Sequence, residues 1–147
     1  MQAVASLPVG EQWAFELELD GYRCIAVKHG NEIMLFSRHQ KVLIRRFSGV
    51  VETFGSLKGD FVLDGESVAL DPQGRPSFRL LQGATTTSIP IYFYAFDVLN
   101  ENAQLLLDQP LSQRRAVLES LLAGAPEALR VSPLLRAAIG TDPRGAA

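Results

Sequence analysis

The sequence predicts an α+β domain, a mainly antiparallel sheet with flanking helices. Three observations carry this reading. Several runs alternate apolar and polar residues with the period of two that a half-buried strand requires. Other runs repeat apolar residues at helical spacing, and the two kinds mix without the strict strand–helix–strand order of a parallel sheet.

The first run, "WAFELELD" (13 to 20), places Phe15, Leu17 and Leu19 on one face and Glu16, Glu18 and Asp20 on the other. Asp20-Gly21 follows, and then "YRCIAVK" returns. A two-residue Asp-Gly loop between alternating runs predicts a hairpin. "EIMLFSR" (32 to 38) is expected to extend it as a third strand. In "RRFSGVVETFGSLKGD", Phe47, Val50, Val51, Phe54 and Leu57 recur at helical spacing, with Ser48 as the expected cap and Gly59 as the stop.

"FVLDGESVAL" (61 to 70) alternates again and sets Asp64 and Glu66 on one side with Val62 and Val68. Gly65 weakens a strand unless something approaches its backbone closely. A turn over Asp71 to Gly74 leads to one or two helical turns in "SFRLLQ" and a polar loop, "ATTTS". "IPIYFYAFDVL" (89 to 99) is apolar on both faces and reads as a central strand. "SQRRAVLESLLAG" predicts a helix capped by Ser112, with Leu118, Leu121 and Leu122 inward and Gly124 at its end. "LRAAIGTDPRGAA" reads as a frayed tail.

With 147 residues, 47% hydrophobic and 20% charged, one globular domain over 1–147 is expected, and disorder is not. A single cysteine, Cys24, excludes an intramolecular disulfide, and no Cys/His spacing suits zinc. "MQAVASLPVG" lacks a positive start, and no apolar stretch reaches membrane-spanning length. The expectation is a cytoplasmic protein with no membrane association. The net charge of -2 hides an asymmetry: between 23 and 58, Arg23, Lys28, Arg38, Lys41, Arg45, Arg46 and Lys58 face only Glu32 and Glu52. Either these are solvated faces or they meet phosphate.

Three motifs converge on a family. "FELELDGYR" resembles the ligase motif lysine-x-Asp-Gly-x-Arg, "LDGESVAL" the Asp-Gly-Glu motif, and "YFYAFDVL" the aromatic-Asp strand beside the adenine pocket. "SRHQKVLIRRF" and "PLSQRR" match the connecting segments in the same order. Over residues 7–122 the chain resembles the adenylation (nucleotidyltransferase) domain of bacterial ATP-dependent DNA ligases, with 123–147 as a divergent tail.

That resemblance implies an activity. The family attacks the α-phosphate of ATP with a lysine amine, holds AMP as a phosphoramide, passes it to a DNA 5′-phosphate and seals the nick, in DNA repair and recombination. The protein's part in such phosphoryl transfer is positioning and electrostatic stabilisation. The implied cofactors are ATP or AMP with Mg2+. By position, Glu16 matches the carboxylate that reads the adenine amino group, Arg23 an arginine near ribose and phosphate, and Arg38 an arginine facing nucleotide or nucleic-acid phosphate. Glu66 matches a ribose or metal contact, with Asp64 beside it as a second candidate metal ligand, and Phe96 matches the ring that stacks on adenine. Asp20 is the motif aspartate.

Glu18 breaks the pattern, because it stands where the nucleophilic lysine belongs. An amine can attack phosphorus and, when protonated, attracts triphosphate. A carboxylate repels it by about 4 kcal/mol for unit charges ~4 Å apart at an effective dielectric of ~20. If the hairpin forms, residues 18 and 23 lie opposite each other and Glu18 is expected to pair with Arg23. Alternatively Glu16, Glu18 and Asp20 join Glu66 around a hard divalent ion. The family's later lysine motifs do not follow residue 122, so the chain alone is expected not to adenylate itself. Three readings stay open. The chain is a pseudoenzyme with weak nucleotide or DNA binding, one part of a split ligase completed by a partner chain or homodimer, or an interaction module with a filled cleft.

Overall fold

A computed structural model describes residues 8–11, 13–83 and 89–135. These fall into two compact units. The larger spans Leu19–Ser132, and the smaller takes its residues from Met1–Glu18 and Pro133–Ala147. The α+β class and the mainly antiparallel sheet are as the alternation predicts.

Among its described residues the larger unit holds six strands: β2 (Tyr22–His29), β3 (Glu32–Ser37), β4 (Phe61–Ala69), β5 (Ile91–Glu101), β6 (Gln104–Leu105) and β7 (Leu129–Val131). The sheet runs β3-β2-β4-β5-β6, and β7 pairs with β5 in parallel. The described helices beside it are α1 (Ser48–Phe54), α2 (Phe78–Gly83) and α3 (Leu111–Leu121). Alternation along the strands divides the sheet into two faces. Cys24, Ala26, Leu35, Phe61, Leu63, Phe93, Ala95 and Val98 are buried and join Val50 and Phe54 of α1, Leu81 of α2 and Leu118 of α3 in one core. Phe54 anchors it, with its ring centroid 5.9 Å from Phe61 and 5.1 Å, edge-on, from Phe93. The intervening strand residues, among them Asp64 and Glu66, form the opposite face.

The expected hairpin across Asp20-Gly21 does not form. In the smaller unit, β1 (Phe15–Glu16) pairs instead with β8 (Leu134–Leu135), and 17–19 make no strand. The reason is that β2 has only two hydrogen-bonding edges, and both are occupied, by β3 and by β4. Asp20-Gly21 delivers the chain onto β4 rather than reversing it. A Cβ at Gly21 would lie 2.3 Å from the Ser67 carbonyl oxygen, and the Asp20 carboxylate accepts the Phe78 amide of α2 at 3.1 Å.

The helix ends also depart from expectation. Phe47 occupies the cap position of α1 with no side-chain cap bond, and Ser48 is already helical. Burial of Phe47, 2% exposed, fixes the start where a hydroxyl was expected to. The helix closes at Gly55, before Gly59, whose φ of +77° belongs to the following turn. Pro110 precedes α3, which puts Ser112 inside its first turn. Gly124, at φ +73°, terminates the turns after α3 as expected. The loop "ATTTS" and the tail beyond 135 lie outside the described residues. Among the described residues, no helix is long and apolar enough to cross a membrane.

Candidate functional site

The sheet face opposite the helices gathers the motif residues of the larger unit. Register places Arg23 of β2 directly across from Glu66 of β4, and Glu66 in turn across from Tyr94 of β5. Asp64, two residues from Glu66 on the same strand, shares that face. Arg23 Nε donates to Asp64 Oδ1 at 3.1 Å and Nη2 to Oδ2 at 2.7 Å, a two-pronged pair whose guanidinium is 57% exposed while the carboxylate is 14% exposed. Hydrogen bonding to Asp64, then its charge, raises the Arg23 pKa above its ordinary value, and Glu66 adds to the effect.

This pairing corrects the expected partner of Arg23. Glu18 is exposed, and its carboxylate makes no hydrogen bond or ion pair among the described residues. The anticipated Glu18–Arg23 contact depended on a hairpin that is absent. In the sheet that does form, Asp64 is the carboxylate within reach.

Beyond β4, the face continues into aromatic strand residues held from β7. Arg130 Nη1 donates to the Tyr94 hydroxyl at 2.9 Å, and its guanidinium lies 4.4 Å from the Tyr92 ring centroid and 5.6 Å from that of Tyr94. Phe96 is half-buried at a register shift: Gly65 pairs with Ala95 and Asp64 with Asp97, so Phe96 is the extra residue of a β-bulge. Asp97 is pinned there by Arg114, whose Nε reaches Oδ1 at 2.8 Å and whose Nη2 reaches Oδ2 at 2.9 Å. Sequence reading missed Arg130, Tyr94 and the Asp97–Arg114 lock. The "RR" and "FD" pairs were visible as motif text, but nothing in their spacing showed that they meet.

The close approach predicted at Gly65 is real and comes from inside the protein. A Cβ there would lie 2.4 Å from the Tyr94 carbonyl oxygen and 2.5 Å from Phe93 Cζ. The glycine therefore accommodates the core ring of the neighbouring strand, not a ligand.

The remaining predicted residues stand elsewhere. Asp20 caps α2. Arg38 is exposed in the turn after β3, with no partner among the described residues. Glu16 and Glu18 are exposed in the smaller unit, Glu16 within β1. No group of three or more His, Cys, Asp or Glu side chains suited to a metal ion comes together among the described residues. The Arg23 guanidinium donates to both oxygens of Asp64.

Cys24 lies on the buried face. Its thiol donates to the Tyr22 carbonyl at 3.1 Å and sits 3.5 Å from Ser67 Oγ, and burial pushes its pKa up to about 11. It is an inert core group.

Comparison with known proteins supplies the context. The family described as "ATP dependent DNA ligase domain" matches residues 3–138. The multifunctional non-homologous end joining protein LigD of Mycolicibacterium smegmatis is 39% identical over 119 residues, 78% of this chain and 15% of that protein. A probable DNA ligase of Streptomyces avermitilis is 36% identical over 80% of this chain and 25% of its own length. Among solved structures, the ligase domain of M. tuberculosis LigD superposes with a TM-score of 0.72 at 32% identity, over 84% of this chain and 41% of that one. Mycobacterial DNA ligase D complexed with ATP and MES gives 0.71 at 34% identity, over 84% of this chain and 40% of its own. The chain thus spans between about one seventh and one quarter of the length of these curated relatives.

Proposed function

This chain belongs to the ATP-dependent DNA ligase family, in its adenylation domain, and from that premise we propose that it is a homologue that does not adenylate itself while keeping a residual nucleotide or nucleic-acid binding face. The observation that carries this reading is the anion at position 18, exposed and with no neutralising partner among the described residues. Where the family uses an amine to attack the α-phosphate, a carboxylate offers repulsion, by about 4 kcal/mol at ~4 Å and an effective dielectric of ~20. A carboxylate could form an acyl phosphate, but a mixed anhydride with AMP hydrolyses readily and would not store the adenylate.

Within this reading, an adenine nucleotide would meet Glu66, Arg23 and Phe96 on the face opposite the helices, and Arg38 would face phosphate. Arg23 spends Nε and Nη2 on Asp64 and keeps further N–H donors, on a side chain 57% exposed, that would meet a phosphate. Glu16, the candidate reader of the adenine amino group, belongs to the smaller unit. The setting would be DNA repair in the cytoplasm, in keeping with relatives named for end joining.

Incubation with α-labelled ATP and magnesium tests the proposal. No covalent adduct is expected with the chain as it stands, whereas micromolar to millimolar AMP binding is expected by calorimetry. An adduct that Glu18→Ala abolishes would overturn the assignment of that residue.

A second reading, a ligase completed by another polypeptide, is favoured by the half-buried apolar residues Ile25, Val27, Phe36 and Val62 beside Arg23 and Asp64 on the open face. It predicts an adduct only when a partner supplies lysines, and the same assay with and without that chain separates the two.

A further inference from the structure

Two long stretches of this chain each lack one sign of charge. Residues 33 to 51 contain no acid, and residues 80 to 113 contain no lysine, arginine or histidine. The fold carries these stretches to opposite edges of one sheet, whose order is β3-β2-β4-β5-β6. Residues 41–43 lie outside β3, joined to it by a bridge between Phe36 and Val42, and β6 forms the other edge.

Both edges present backbone groups outward. Ser37 N donates to the Lys41 carbonyl at 2.8 Å and Leu43 N to the Leu35 carbonyl at 2.8 Å. These bonds point inward, so the N–H and C=O of Val42 between them face away from the sheet. At β6, Leu106 N donates to the Leu99 carbonyl at 2.9 Å, and the same alternation turns the N–H and C=O of Leu105 outward. An open edge is a template for another strand, and residues 104–107 carry neither charge nor proline to protect it.

The side chains on the two edges are complementary. Val42 is 56% exposed at one, and Leu105, Leu107 and Leu111 are 61%, 54% and 56% exposed at the other. Arg38, Lys41 and Arg45 are exposed beside Val42, while Asp108, exposed, and Glu101, half-buried, flank the leucines; none of the five has a partner among the described residues. The other charges nearby are already engaged: Arg46 by the Tyr22 ring and the Leu81 carbonyl, Asp97 by Arg114. Within one molecule the free cations and acids cannot meet. Five strand spacings separate residues 41–43 from β6, roughly 24 Å, and that is about three Debye lengths at physiological salt.

We propose that a second copy of this chain supplies the missing partner, with residues 38–45 of one molecule docking edge to edge on residues 101–111 of the next. Val42 meets the leucines, and Lys41 and Arg45 meet Glu101 and Asp108. Each copy uses a different surface on its two sides, so the contact is heterologous and assembly continues as an open row instead of stopping at a pair. A small, charged contact of this kind is weak, with a dissociation constant on the order of 0.1–1 mM at low salt. Glu18, Arg23 and Phe96 take no part in it, so the outcome of the ATP assay leaves it untouched.

Sedimentation equilibrium of the 147-residue chain, from about 10 μM to about 1 mM, tests the proposal. At ~0.05 M salt the weight-average mass is expected to reach about twice the monomer or more at the highest concentration, and to fall back toward the monomer at ~0.5 M salt. The Glu101→Lys, Asp108→Lys variant and the Lys41→Glu, Arg45→Glu variant should each stay monomeric alone. Mixed in equal amounts, they should associate again, because each then offers the charge the other lacks. Unaltered melting temperatures keep misfolding out of the comparison, and recovery on mixing shows that both variants are folded. A parent chain that stays monomeric at about 1 mM and low salt would overturn the proposal. So would association that survives reversal of either edge, that does not weaken with salt, or that fails to return when the two variants are mixed.

Discussion

The two faces of the central sheet are built from alternate residues of the same strands, yet they obey different rules. Toward the helices, Phe61, Leu63, Phe93 and Val98 are buried without charge, and the rings of Phe61 and Phe93 pack around Phe54. On the other side, Arg23 pairs with Asp64 and Arg130 with Tyr94 through directional polar contacts at partial exposure. The covered face should carry stability, and the open face recognition. A sheet can vary one independently of the other because its side chains alternate with a period of two.

The strongest way to break that comparison is Phe54→Ala. Removing a fully buried ring with two aromatic neighbours is expected to cost about 3–5 kcal/mol in denaturant unfolding, and a loss below 1 kcal/mol would deny the covered face its role. Next comes the pH dependence through Cys24. Burial raises its folded pKa from an ordinary 9.0 to about 11, so the folded chain holds a proton that the unfolded chain releases between those values. Stability therefore declines as pH rises from about 9 to 11, by roughly 2–3 kcal/mol in all. Cys24→Ser, measured by denaturation over that range, should flatten the decline. Alkylation of the native thiol near neutral pH should be slow for the same reason.

Gly65→Ala touches both faces through one backbone position. The added methyl meets Phe93 and the Tyr94 carbonyl, and overpacking of this kind costs about 1–3 kcal/mol. If the open face mattered equally to stability, Arg23→Gln would match it. We expect instead less than ~1 kcal/mol, because the guanidinium is 57% exposed and solvent screens the pair. Any effect on nucleotide affinity, read by calorimetry, should be larger than the effect on the melting temperature. A reversal of that order would show Arg23 to be a structural residue only.

Local periodicity made much of this legible in advance. The runs read as strands at 22–28, 32–38, 61–70 and 89–99 are strands over Tyr22–His29, Glu32–Ser37, Phe61–Ala69 and Ile91–Glu101, and Phe47, Val50, Phe54 and Leu57 are buried as helical spacing required. Capping was less legible. Ser48 and Ser112 have the right chemistry, but buried Phe47 and the rigid Pro110 fix the helix starts one or two residues earlier. Among candidate site residues, alternation set Asp64 and Glu66 on one side of their strand, whereas Arg23, expected opposite Glu18, lies across from Glu66 instead. It gave no hint of Arg130, which reaches Tyr94 through a parallel pairing 36 positions away in sequence.

From the amino-acid order alone came the α+β class, the two-faced strands, the ligase resemblance and the anion at position 18, because each depends on residue type and short-range spacing. Tertiary structure alone decided which strand edges were free, and hence that β1 joins β8 rather than β2. It also gave Arg23 to Asp64 and Gly65 to the Phe93 ring. Such outcomes follow from competition among distant segments for the same edges and cavities, which no local pattern encodes.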